Sequence, residues 1–146
     1  MSFTAEVKNE LVSVPEGQTD SALAQLSALI RVSGTLSVQG PGKFAVRIVT
    51  ETGTVARTVV SSSRRLFDLD TSIEYRRSIM HKKRNYLLEI SNQDSLAGAL
   101  SALGIYIPGE GLVRGIPKNI VRTKQTQRAF LRGAFMAGGV VADPRK

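Results

Sequence analysis

The cations are the residues of this 146-residue chain best placed to do chemistry, and they are bunched. Between Arg64 and Arg84 stand Arg64, Arg65, Arg76, Arg77, Lys82, Lys83 and Arg84 against Asp68, Asp70 and Glu74, a local charge of +4. Between Val113 and Arg132 stand Arg114, Lys118, Arg122, Lys124, Arg128 and Arg132 with no acid among them, a local charge of +6. The whole chain carries only +8, so everything else is slightly acidic. Cations crowded in this way neutralise the phosphates of a polyanion, and nucleic acid is the commonest such partner. An ordinary solvated face on a basic protein is the plainer alternative.

Other chemistry is largely closed off. Without cysteine there is no disulfide framework, thiolate metal site or thiol nucleophile, and the single histidine, His81, excludes any site built on two imidazoles. His81 lies among cations and reads as a loop residue without a role. Tryptophan is absent and aromatics are only 5%, which argues against a broad stacking platform for single strands. Tyr75 and Tyr106 can donate to phosphate, but isolated tyrosines more often pack. There is no glycine-rich phosphate loop, so nucleotide-binding folds and a bound cofactor have little support. Residues 1–8 do not read as a secretory leader, and no run nears the ~20 apolar residues that span a bilayer. The expectation is a cytoplasmic protein without membrane contact.

The elements that must carry these cations are legible from periodicity. Phe3, Val7, Leu11 and Val14 predict an amphipathic helix over 3–14, stopped by Pro15 and Gly17. Leu23, Leu26, Leu29 and Ile30 predict another over 21–32, capped by Asp20 and ended by Gly34. Alternation over 35–38 and 44–49, with Gly40, Pro41 and Gly42 between, predicts a hairpin. A helix follows over 53–67, weakened by three serines. A second hairpin pairs 71–79 with 85–90 across the loop from Met80 to Arg84. A short helix covers 94–103, residues 105–120 read as irregular, and 123–138 as helical. The order is helix, then α-β-β-α-β-β-α, then one more helix. A four-stranded sheet covered by helices on one face is an α+β layer design.

The helices beginning at Leu26 and Leu131 echo one another across 105 residues: Leu26-Ser-Ala-Leu-Ile-Arg-Val-Ser-Gly34 and Leu131-Arg-Gly-Ala-Phe-Met-Ala-Gly-Gly139. Both have a small residue in third place and end in glycine. Helices cross closely only where side chains are small, so Ala28 and Gly133 are expected at a crossing, with Ala137 one turn on. The terminal Gly34 and Gly139 ease the turn into a strand. Pattern alone leaves two unrelated glycine-ended helices as an equal reading.

This echo resembles the paired motif of LAGLIDADG homing endonucleases. The segments from Leu26 to Leu36, from Arg128 to Lys146 and from Met1 to Leu11 together resemble the WhiA family, bacterial transcription regulators of sporulation and cell division. The resemblance runs over essentially the whole chain. It implies an endonuclease-like domain followed by a helix-turn-helix, with a role in cell division, sporulation and chromosome segregation. On that frame residues 1–20 are an N-terminal helix and linker, 21–122 a first repeat, and 123–146 the motif helix of a second, unfinished repeat. The helix-turn-helix is missing, as in a truncated product or fragment.

In active nucleases of that type an acid near the end of each motif helix binds a divalent metal, which requires carboxylate oxygens converging on the phosphate. The matching positions are Ser33 and Gly138, the sixth positions are Arg31 and Met136, and Asp143 falls beyond the helix. No catalytic, metal-binding or cofactor residue is therefore expected, and the chain is not expected to be an enzyme. The resemblance also implies that the outer face of the sheet meets double-stranded DNA, in which case Arg47, Arg76, Lys82, Lys83 and Arg84 are the contact residues, while Arg77 alternates to the other face. Such contacts give salt-dependent affinity, weak without the helix-turn-helix, and a nucleoid-associated location. A protein partner or self-association is the alternative, because Phe130, Phe135 and Met136 on a helix without its own sheet need burial. Docking of that helix onto the first repeat meets the same need.

Overall fold

The computed structural model describes residues 19–77 and 84–138. The expected helix over 3–14, the loop residues His81, Lys82 and Lys83, and Gly139 lie outside the described residues.

Helix α1, Thr19–Ser33, is buried on nearly every side, because the sheet holds one flank and another helix the other. Leu26, Leu29 and Ile30 face the sheet core, whereas Ala24 and Ala28 belong to a second cluster on the far side. The helix passes directly into β1, Gly34–Gly40, with no loop between. A Cβ at Gly34 would stand 2.5 Å from the Ile30 carbonyl oxygen, so only glycine fits this turn.

β1 pairs antiparallel with β2, Lys43–Thr50, and α2, Gly53–Phe67, crosses back over the sheet. β3, Ser72–Arg77, and β4, Arg84–Ile90, complete a four-stranded sheet in the order β1-β2-β4-β3. Alternation along β2 buries Phe44, Val46 and Ile48 and leaves Arg47 and Val49 in solvent. Cross-strand register carries the inner face onward through Leu88 and Ile90, against Val55 and Val59 of α2. The helices stop short of β3: Ile73 is 48% exposed and Tyr75 51%, although they stand opposite Leu88 and Tyr86.

Helix α3, Leu96–Ala102, adds Leu96, Ala99 and Leu100 to the core. The segment expected to be irregular then forms a small second sheet, β5 (Tyr106–Ile107) against β6 (Gly111–Leu112). Strands of two residues are too short to show alternation, and the prolines and glycines around them read as loop.

Helix α4, Lys124–Gly138, begins with a reciprocal cap. The Thr126 amide donates to Thr123 Oγ1 at 3.1 Å, and the Thr123 amide donates to Thr126 Oγ1 at 3.0 Å. Phe130, Phe135 and Met136, expected to need burial, find it by docking onto the first repeat: α4 lies along α1, burying Met136 in the main core and Phe130 in the second cluster, with Phe135 half-buried. The uncovered residue is Leu131, 68% exposed. Among the described residues no helix is long and apolar enough to cross a membrane.

Candidate nucleic-acid interface

The helix crossing sets the frame on which every candidate residue sits. A Cβ built on Gly133 would fall on the carbonyl oxygen of Gln25 and 3.0 Å from the Ala28 Cβ, so the two backbones touch. One turn on, a Cβ at Gly138 would stand 2.8 Å from Val32 Cγ1, and the half-buried Ala137 packs against the main core. Polar pins flank the contact. Arg132 Nε donates to Gln25 Oε1 at 2.7 Å, and Ser27 Oγ donates to the Leu103 carbonyl at 2.8 Å. Burial pushes the Arg132 guanidinium below its ordinary pKa.

At the ends of the paired helices the residues are not acids. Ser33 Oγ donates back to the Leu29 carbonyl at 2.6 Å, within its own helix, and Gly138 has no side chain. Arg31 turns to the loops instead, donating to the carbonyls of Gly104 and Val113. Among the described residues no three His, Cys, Asp or Glu side chains are grouped to hold a metal ion.

The outer face of the sheet is less basic than a list of its cations implies. Register places Arg47 opposite Glu89, and Glu89 opposite Ser72, so Arg47 shares a face with Ser72, Glu74 and Arg76. Each arginine has an acid at hand. Arg47 Nε lies 3.6 Å from Glu89 Oε2, while Arg76 holds Glu74 with both ends of its fork, at 3.0 and 3.3 Å. The hydrogen bond and charge of Arg76 hold the Glu74 carboxyl below its ordinary pKa, with Arg47 adding to the effect. Exposed Val49 stands among these charges.

Arg84, expected on this outer face, does not belong to it. Its register partner is Arg77, and two residues on come the pair Tyr86 and Tyr75, so Arg84 occupies a position of the helix-side face. The parity of a strand is set by its partner's register, which the intervening loop length does not reveal.

A different set of cations has no acid nearby in sequence. On α4, Lys124, Arg128 and Arg132 recur every fourth residue along one line; Lys124 and Arg128 are exposed and Arg132 is half-buried at the crossing. Arg114, Lys118 and Arg122, all exposed, lead into the helix. The acid-free block is visible in the sequence, and its fourfold spacing is the signal that aligns it on a helix. Like charges four apart cost helix stability, and a lysine in the first turn opposes the helix dipole, so an anionic partner would relieve both.

Known proteins resemble this chain in sequence and in fold. A family model described as the WhiA N-terminal LAGLIDADG-like domain matches residues 19–106, and one described as the WhiA LAGLIDADG-like domain matches residues 127–146. The relative named "Probable cell division protein WhiA" from Clostridium novyi is 34% identical over 100% of this chain and 47% of its own length. Its counterpart from Desulforamulus reducens is 36% identical over 99% of this chain and 45% of its own length. The chain thus spans about half the length of the curated relatives it matches. A crystal structure of the N-terminal LAGLIDADG domain of WhiA matches with a TM-score of 0.69 at 23% identity, covering 99% of this chain and 62% of that one. The full-length WhiA from Thermatoga maritima matches with a TM-score of 0.67 at 20% identity, covering 99% of this chain and 42% of that one.

Proposed function

The chain belongs to the WhiA family, and from that premise we propose that it serves bacterial cell division as the DNA-associated, non-catalytic part of a transcription regulator. Its fold is the α+β arrangement of the LAGLIDADG-like domain. The observation that carries the DNA reading is the row of cations on α4 and the segment leading to it, which includes no acid. Such a row suits a phosphate backbone, where contacts give affinity and orientation but little sequence selection. Arg47 and Arg76 on the sheet, with Lys82 and Lys83 between the strands of the second hairpin, enter as further contacts. Sequence selection is then the task of a separate helix-turn-helix, and cytoplasmic, nucleoid-associated placement in sporulating or dividing cells goes with this reading.

Absence of cutting is supported by residue type. Divalent metal at the base of the helix pair needs convergent carboxylates, and Ser33 and Gly138 provide none. Two measurements test the whole. Duplex DNA should bind with an affinity that falls steeply between low and moderate salt, and supercoiled plasmid should stay intact with Mg²⁺ or Mn²⁺. Salt-independent affinity or linearised plasmid would reject the respective half of the reading.

One observation favours a second function, contact with a protein. By the internal echo, exposed Leu131 corresponds to Leu26, which the sheet covers. Sedimentation at several concentrations distinguishes self-association through that residue from a monomer.

A further inference from the structure

Beneath β1, an edge strand among the described residues, lies an open recess of about 520 Å³, within the ~300–1,000 Å³ range of small-molecule sites. It is separate from the outer sheet face and from the cations on α4 itself, although Arg114 on its rim also belongs to the basic segment that leads into that helix. Its walls are apolar, formed by Ile30, Leu36 and Val38 on one side and Ile105, Tyr106 and Leu112 on the other. Among the described residues the charged ones lining it are Arg31 and Arg114, two cations, and no acid.

Arg31 is held in an unusual way. It leaves the last turn of α1 and donates through its two terminal nitrogens to the carbonyls of Val113 and Gly104, which anchors the guanidinium plane. Its Nε–H is buried and has no hydrogen-bond partner among the described residues. Burial also lowers its pKa from the ordinary arginine value, an effect that an anion beside it offsets. Arg114, on the other side, is exposed at the mouth, beside the exposed Leu112.

We propose that this recess binds a small organic carboxylate with an aliphatic body, its headgroup held at Arg31 and Arg114 and its chain laid along the apolar walls. Charge complementarity selects the headgroup, since a neutral apolar molecule leaves both guanidinium groups without a counterion. The walls select the body, since a bare inorganic anion leaves them wet. Medium-chain carboxylates join these two properties in one molecule.

The probes are decanoate, decanol and acetate, titrated into the 146-residue chain by calorimetry and followed by backbone amide shifts. Decanoate should bind at least tenfold more tightly than either decanol or acetate, with shifts grouped at Leu36, Val38, Tyr106 and Leu112. Arg114→Gln and Leu112→Asp alter exposed side chains and leave the core intact, so folding is not at issue; each should weaken decanoate at least fivefold. Arg31→Gln should weaken it as well, with circular dichroism checking that the anchored loops survive. Decanol binding as tightly as decanoate, or full affinity in both surface variants, overturns the proposal. So does a dimer that Leu112→Asp dissociates, because a second copy would then be the occupant.

Discussion

Gly133 and Gln25 meet backbone to backbone: the Gly133 α-carbon faces the Gln25 carbonyl so closely that a methyl group has no room. The two residues also share a side-chain pin, since Arg132 donates to the Gln25 amide oxygen at 2.7 Å. This contact, with the alanine and Phe130 cluster beside it, sets how α4 lies on α1, and through α4 the placement of Lys124 and Arg128.

The Gly133→Ala variant should therefore be destabilised, although alanine is the better helix former. Propensity favours alanine by about 1 kcal/mol, whereas overpacking costs ~1–3 kcal/mol. The obstacle here is a helix carbonyl that cannot swing aside, which puts the cost at the upper end and the net loss near 2 kcal/mol. The control is Gly98→Ala in α3, where nothing lies within 4 Å of the new methyl; it should gain about 0.5–1 kcal/mol. Denaturant midpoints with unchanged slope measure both, and a Gly133→Ala variant as stable as the parent would mean the helices do not touch there.

The two flanks of α4 should respond oppositely to truncation. Met136→Ala removes a side chain only 1% exposed from the main core and should cost about 2–5 kcal/mol. Leu131→Ala removes one that is 68% exposed and should stay within ~0.5 kcal/mol. Thermal denaturation of the two variants compares them directly. A large loss at Leu131 would show that this residue is covered in solution, by another copy or another segment.

The positions of these two residues show what periodicity could and could not reveal. Helices α1, α2 and α4 and the first hairpin were legible because their apolar spacing runs long enough to fix a period. On α4 the residues that needed burial by the sequence, Phe130, Phe135 and Met136, are the ones covered, and exposed Leu131 was not among them. β5 and β6 are too short for any pattern. On the sheet, Glu74 lies two residues from Arg76 and their shared face was readable, but Glu89 reaches Arg47 only through cross-strand register. The parity of Arg84 depends on the same register. Small-residue positions Ala28 and Gly133 were visible because close backbone approach leaves a compositional trace.

Glu74 should titrate below an ordinary glutamate. Its folded-state pKa is depressed by Arg76, so the pair contributes above the unfolded pKa and the contribution is lost as pH falls through the lower, folded value. Both groups are fully solvated, and salt screens the effect. Carboxyl NMR titration of the parent and of Arg76→Ala checks it. The midpoint should move up in the variant, and an unmoved midpoint would place the depression elsewhere.

The cation row of α4 and the strand arginines differ in how DNA binding should depend on salt. Each cation that neutralises a phosphate contributes about 0.9 to the slope of log affinity against log salt on duplex DNA. Lys124 and Arg128 are exposed on a helix with no acid, so binding a phosphate displaces only solvent ions. Replacing both by glutamine should flatten the slope by about 1.8. Arg47 and Arg76 begin with Glu89 and Glu74 beside them, and a phosphate has to compete with those carboxylates. Removing either arginine also leaves its acid facing the DNA, so Arg47→Gln and Arg76→Gln should weaken binding mainly through repulsion, at any one salt concentration, with a smaller change of slope. Fluorescence anisotropy of a labelled duplex across a salt series distinguishes the two surfaces. Should the strand variants flatten the slope while the helix variants leave it unchanged, the sheet face, with its acids displaced, is the surface that meets DNA.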